Sequence, residues 1–352
     1  MNVAPLFKLM VEKHASDLFF TSHAPVKIKI DGKIMPVNQL ELTPKMVKQA
    51  AIELMDEAQF DLFSKELEID FAISKPGLGR FRVNVFMQRG NIAMVLRHIT
   101  TDLPSLDDLG VPPVLKELIM FRRGLVLMVG SAGNGKSTTL AGMINYRNER
   151  TSAHILTIED PIEFLHANKR SIVNQREVGV DTASYARALK SAMREAPDVI
   201  MIGEVRDRES MQAAIDLAGT GHLVVATLHS NNAPETLDRI INMFPQDQHR
   251  QIYMDLSHYL RAIVSQRLVV GVDGKRVAAV EVMINTSHIA ELVNRGEVPS
   301  VKEAFTSSTE QGMQTFDKAL LELYRSGRIS MEEALANADS RTNLEASINF
   351  GS

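Results

Sequence analysis

The chain has 352 residues, enough for about two domains of typical size, and its 45% hydrophobic and 23% charged content excludes disordered and collagen-like classes. With no cysteine it has no disulfide framework, thiolate metal site or cysteine nucleophile, which fits a reducing, cytoplasmic compartment. Lys and Arg number 39 against 43 Asp and Glu, a net charge of -4, so no global positive field draws the chain to nucleic acid, and no run of about 18 apolar residues offers membrane insertion.

In chain order, Leu6, Met10 and Val11 fall at helical spacing near the N-terminus. Residues 24–34 alternate, with Val26, Ile28 and Ile30 on one face and Lys27 and Lys29 on the other, and Asp31-Gly32 reads as a hairpin turn. The spacing predicts a helix over 43–54 with Thr43 as N-cap and Pro44 at its first position, then a short one over 60–67. A second alternating run over 80–86 points Phe81, Val83 and Val85 inward and Arg80, Arg82 and Asn84 outward. No acid occurs between Asp70 and Asp102, while Lys75, Arg80, Arg82, Arg89 and Arg97 do, so the outer face of this sheet is expected to be positive and suited to phosphate. Residues 101–113, with three prolines and Gly110, read as a linker.

From residue 114 the rhythm changes to buried apolar runs at 125–129, 155–158, 199–202 and 223–227 separated by helical stretches, the pattern of a parallel sheet covered on both faces. Past residue 287 helices are predicted over 289–295, 315–326 and 330–338, the last with Ser330 and Glu333 as a capping box.

Between the first apolar run and a helical stretch stands Gly130-Ser131-Ala132-Gly133-Asn134-Gly135-Lys136-Ser137, followed by Thr138. This is the full phosphate-binding loop pattern: glycines let successive backbone N–H groups turn toward phosphate, and the helix N-terminus adds partial positive charge. Lys136 is expected at the β- and γ-phosphates of ATP, and the Ser137 hydroxyl on magnesium. Ligands of an open parallel sheet sit beyond the carboxyl ends of its strands, and each later strand ends on a polar residue. Glu204 fits the magnesium-side acid, acting through water. Among Glu159, Asp160 and Glu163, spacing alone allows any one to polarise the attacking water. His229 is read as a donor to the γ-phosphate; His222 stands seven residues away, roughly 23 Å along an extended segment, so one metal ion cannot hold both.

Together the loop, the stretch 155–164 (ILTIEDPIEF), Gly203-Glu204-Val205-Arg206-Asp207, and the segments 220–222 (TGH) and 227–229 (TLH) resemble the secretion and pilus motor ATPases, nearest to the PilT/PilU retraction ATPases of type IV pili. The resemblance covers nearly the whole chain. It implies an α/β architecture: a PAS-like α+β domain (1–100), the linker (101–113), a RecA-like ATPase core (114–287) and a C-terminal helical region (288–352). It further implies a homohexamer with ATP between subunits, soluble and docked at the inner-membrane base of the pilus machine through a platform protein. Carried onto this sequence it makes Glu163 the catalytic carboxylate, Glu204 the organiser of magnesium and water, and Asp160 a supporting acid. Arg80, Arg82 and Arg97 become candidates to touch phosphate in trans, with Arg206 and Arg239 behind them.

Where PilT proteins carry an Ala-Ile-Arg-Asn-Leu-Ile-Arg-Glu-like helix, this chain reads His288-Ile289-Ala290-Glu291-Leu292-Val293-Asn294-Arg295, and its ending at 336–344 (ANADSRTNL) is more similar to the PilU branch, which works alongside a PilT-like paralogue ring. The competing expectations are a pilus assembly or type II secretion ATPase, whose usual four-cysteine motif has no counterpart here, a noncatalytic nucleotide-binding ring subunit, and a nucleic-acid motor.

Overall fold

The structure is a computed structural model and describes residues 3–30, 32–99, 103–308 and 310–350. The chain divides into two compact units, Met1–Asp102 with Glu163–Leu165, and Leu103–Ile162 with His166–Ser352.

The first unit opens with α1 (Ala4–Glu12), which buries Phe7 and Met10. It is followed by β1 (Asp17–Phe20), β2 (Pro25–Ile30) and β3 (Lys33–Glu41). Of the turn expected at Asp31-Gly32, Asp31 lies outside the described residues; Gly32 has a φ of 78°, a left-handed value suited to glycine. In α2 (Pro44–Leu54) the Thr43 hydroxyl accepts the Met46 N–H. The next helix, α3 (Glu57–Glu66), starts three residues before the expected position, because Asp56 and Gln59 form a reciprocal capping box, and it stops at left-handed Leu67. Then come β4 (Glu68–Lys75), β5 (Gly79–Gln88) and β6 (Asn91–Ile99). The sheet runs β3-β2-β1-β6-β5-β4, antiparallel throughout. Alternation decides its faces: Phe81, Val83 and Val85 of β5 are fully buried beneath the helices.

Of the expected linker, Thr101 and Asp102 lie outside the described residues, while the remainder belongs to the second unit: Leu106 is buried in its core, with Leu109 and Val111 packed alongside. Next are α4 (Val114–Leu118), β7 (Gly124–Val129), α5 (Lys136–Arg150), β8 (His154–Glu159), β9 (Ile172–Glu177), α6 (Tyr185–Ala192), β10 (Val199–Ile202), α7 (Arg208–Gly219), β11 (Leu223–Leu228), α8 (Ala233–Asn242), α9 (His249–Tyr259), β12 (Leu260–Val270) and β13 (Arg276–Ile284). The sheet order is β13-β12-β7-β11-β10-β8-β9, with β13 antiparallel to β12 and the other pairings parallel. In β7 the alternating side chains divide between two cores: Leu125, Leu127 and Val129 go to one, Val126 and Met128 to the other. A strand covered on both faces has no need of polar residues, hence the apolar run.

Five more helices follow: α10 (Ser287–Arg295), α11 (Val298–Thr306), α12 (Phe316–Arg325), α13 (Met331–Asn337) and α14 (Arg341–Phe350). The last three pack a small core against Val269, Val277 and Ala279 of the β12–β13 hairpin. Ser330 caps α13 as expected, but Glu333 does not complete a capping box: its Oε1 accepts the Val270 N–H at 2.8 Å, satisfying the end of β12.

Candidate nucleotide site

The phosphate-loop residues occupy the turn between β7 and α5. Gly130 has φ 147°, and a Cβ there would lie 2.5 Å from the Gln266 carbonyl oxygen, so only glycine admits the close approach of β12. Gly133 has φ 79° with nothing within 4 Å of where a Cβ would stand; its glycine serves the backbone turn and leaves the outer side of the loop open. Gly135, left-handed, is the N-cap of α5. Ser131, Ala132 and Gly133 are exposed, Asn134, Ser137 and Thr138 half-buried. Lys136, only 8% exposed, donates from Nζ to the Gly130 carbonyl at 2.7 Å and the Ser131 carbonyl at 3.0 Å, which keeps the ammonium hydrogen-bonded at the mouth of the loop.

Because β7, β11, β10 and β8 are parallel neighbours, their C-terminal ends lie side by side. A polar line crosses those ends. His229 Nε2, after β11, lies 2.8 Å from Glu204 Oε1, after β10; Arg206 Nε donates to Glu204 Oε2 at 2.7 Å; and Arg206 Nη1 meets Asp160 Oδ2, after β8, at 3.2 Å. The hydrogen bond and charge of Glu204, then the Asp160 carboxylate, push the Arg206 pKa up, so the guanidinium is a permanent cation. Burial first, and Asp160 next, also raise the Tyr185 phenol, which therefore keeps its proton as a donor; a Cβ on Gly203 would stand 3.0 Å from its hydroxyl. On the loop side, Ser131 Oγ donates to Asn231 Oδ1 at 3.3 Å.

The three acids after β8 separate. Glu159 is buried, its Oε1 accepting from Thr157 Oγ1 at 2.6 Å and Gln175 Nε2 at 3.1 Å, so it braces β8 against β9. Asp160 joins the polar line. Glu163 is exposed, in the short segment grouped with the first unit. His222 stands at the opposite end of β11 from His229, with Nδ1 3.1 Å from the Leu217 carbonyl. Arg206, expected as a candidate in trans, is held by Glu204 and Asp160 of its own chain, and Arg239 is exposed in the last turn of α8.

In the first unit, the face carrying Arg80, Arg82 and Arg97 is less positive than the acid-free window suggests. Arg82 and Arg97 stand directly opposite each other across β5 and β6. Asp70 takes Arg82 Nε at 2.9 and 2.7 Å, and buried Asp17, the partner of Arg97 in β1, takes its Nε at 2.9 Å. The neutralising acids come from the edge of the window and from a strand far away in sequence.

Sequence reasoning missed the strand that braces the loop. Gln266 on β12, 2% exposed, donates from Nε2 to the Asn134 carbonyl at 2.8 Å and accepts from Thr139 Oγ1 at 2.8 Å. Arg276 Nη1 donates to the Gly133 carbonyl at 3.2 Å. Beside them, buried Glu281 accepts at Oε1 from the Ala233 N–H, the first of α8, and from Ser265 Oγ, both at 2.9 Å; burial pushes its pKa up to about 7. The available signal was three consecutive polar residues, Ser265, Gln266 and Arg267, between the apolar stretches 262–264 and 268–270.

A family model described as type II/IV secretion system protein matches residues 2–276. The chain is 51% identical to the type IV pilus ATPase PilU of Pseudomonas aeruginosa, across 100% of this chain and 92% of that one. It is 40% identical to the type IV pilus retraction ATPase PilT of the same organism, across 96% and 98%. A crystal structure of the pilus retraction motor PilT with bound ADP matches with a TM-score of 0.92 at 40% identity, covering 98% of this chain and 99% of that one. The phosphate loop, the polar line across the strand ends and these full-length similarities agree: the chain belongs to the type II/IV secretion system family, in its PilT/PilU branch.

Proposed function

We propose that this chain is the ATP-hydrolysing subunit of a homohexameric, magnesium-dependent motor that powers type IV pilus retraction and so twitching motility, working beside a PilT-like paralogue ring. The observation that carries this reading is the juxtaposition, within one unit, of an intact phosphate loop with its lysine and the Asp160–Arg206–Glu204–His229 line on the neighbouring strand ends. The family relatives, named as type IV pilus ATPases, supply the process.

The residues fit a nucleotide. The loop is open on its outer side at Gly133, its backbone N–H groups continue into the α5 N-terminus, and Lys136 stands beside it. Ser137 Oγ is the hydroxyl to hold magnesium, and Glu204, whose Oε2 accepts from Arg206, is proposed to serve that ion through water. Bound magnesium supplies charge neutralisation on the phosphate oxygens. Glu163 is the proposed base for the attacking water, and His229, tied to Glu204, the residue that registers the γ-phosphate. Arg80, Arg82 and Arg97 are proposed to act from a neighbouring protomer, which requires Arg82 and Arg97 to exchange Asp70 and Asp17 for phosphate.

We read the first unit as PAS-like, since helices lie between β3 and β4 and its sheet is centred on the β1–β6 pair, and the second as RecA-like, since β11 stands between the loop strand β7 and β10. Among the described residues no helix is long and apolar enough to cross a membrane, in keeping with a motor docked through a platform protein at the inner membrane. A deletion strain scored for surface pili and motility tests the function. Excess pili with lost motility, restored by the wild type and not by Lys136→Ala, is the expected result; cells without pili would place the chain in assembly.

A further inference from the structure

We infer that Gln266 is a positioning residue for the nucleotide, holding the phosphate loop in its binding shape from the neighbouring strand; this rests on the reading of 130–137 as an ATP site. Three contacts carry it. The side-chain amide donates to the Asn134 carbonyl in the middle of the loop and accepts from Thr139 in the first turn of α5. Its backbone carbonyl occupies the space a Cβ at Gly130 would need, so the start of the loop is seated on the same residue.

The orientation of the amide is determined by its partners. A carbonyl only accepts, so Nε2 must face Asn134, which leaves Oε1 for the Thr139 hydroxyl. Neither Glu, which lacks the donor, nor Met, which lacks both groups, can make this pair. Burial raises the stakes, because losing one partner leaves the other buried without a hydrogen bond. Two residues further along the strand, on the same face, Leu268 continues the brace: its N–H lies 3.4 Å from Asn134 Oδ1, and its side chain lies 3.4 Å from where a Cβ on Gly135 would be.

A loop shaped from behind presents the same N–H groups to ADP and ATP. Removal of the brace therefore weakens ground state and transition state alike, raising KM and leaving kcat nearly untouched. The test uses the full chain and titrates ADP by calorimetry into wild type, Gln266→Met, Thr139→Val, the double variant and Lys136→Ala, with melting curves and steady-state ATP kinetics on each. Gln266→Met is expected to bind ADP about 10- to 100-fold more weakly and Thr139→Val about 3- to 10-fold, from two and one buried hydrogen bonds. KM should rise in proportion with kcat within about 3-fold, and the double variant should bind no more weakly than Gln266→Met.

If Gln266→Met fails to fold, Thr139→Val carries the test. ADP affinity within about twofold of wild type in the folded variants, or a loss confined to melting temperature, overturns the inference provided Lys136→Ala loses ADP. If Lys136→Ala binds ADP like the wild type, the nucleotide site itself is wrong and this inference falls with it.

Discussion

An ammonium taken out of water must be given partners, and Lys136 receives them from the carbonyls of the loop it serves. The same economy of space governs the glycines. Gly130→Ala would place a methyl 2.5 Å from a backbone oxygen of β12 that cannot step aside, whereas Gly133→Ala meets nothing within 4 Å and suffers only its φ of 79°, about 1 kcal/mol. Melting curves with ADP titration should show Gly130→Ala as the more damaging, with nucleotide binding lost; equal damage would contradict the seating of the loop on Gln266. Glu204 is placed differently, between the Arg206 guanidinium and the His229 ring. Glu204→Gln removes the charge that holds Arg206 and His229, so phosphate release should fall about 100-fold or more while ADP affinity stays within a few-fold. An unchanged rate would put the polar line outside the reaction. Of these residues the loop was fully legible, because its chemistry is written in consecutive letters; Glu204 and His229 were legible as strand-end positions, though their mutual contact is a product of the sheet order.

At the level of elements, β12 and β13 join the loop, the start of α8 and the C-terminal helices. Ser265 reaches Glu281, Gln266 the loop, and Arg267 pairs with Asp339 at 2.7 Å and stacks over Phe316. Glu281 gives this hairpin a pH dependence. Its folded pKa of about 7 lies above the ordinary 4.5, so between these values the folded state binds the extra proton, and stability declines as pH rises from about 4.5 through 7. Glu281→Gln keeps an acceptor for Ala233 and Ser265 without the buried charge. Denaturation across pH should show a flatter profile, with the variant more stable at pH 8 by on the order of 2–3 kcal/mol; a parallel profile would contradict the burial argument. These strands escaped sequence reasoning for the reason that makes them useful. The runs at 125–129, 155–158, 199–202 and 223–227 are apolar because helices cover both faces, but β12 and β13 carry Ser265, Gln266, Arg267 and Glu281 as their cross-links. β9, with Asn174, Gln175 and Arg176 at its centre and only two of its six residues buried, gave no apolar run to read.

For the whole molecule, the rhythm of the sequence changes near residue 114, whereas the second compact unit already begins at Leu103, because its limits depend on contacts between residues far apart in the chain. Leu106 belongs to the second core despite its proline-rich surroundings, and Asp17 offsets Arg97 from 80 residues away. A positive face inferred from a local window thus overlooks acids delivered by pairing. If a neighbouring protomer supplies arginines, turnover per chain should rise with protein concentration as rings assemble, which activity assays paired with light scattering can follow. A monomer hydrolysing at the full rate would contradict this. If the loop at 130–137 binds the triphosphate that is cleaved, steady-state phosphate release with ATP and magnesium should be present in the purified full chain and fall to background in Lys136→Ala; equal turnover in the two would refute the assignment of the site.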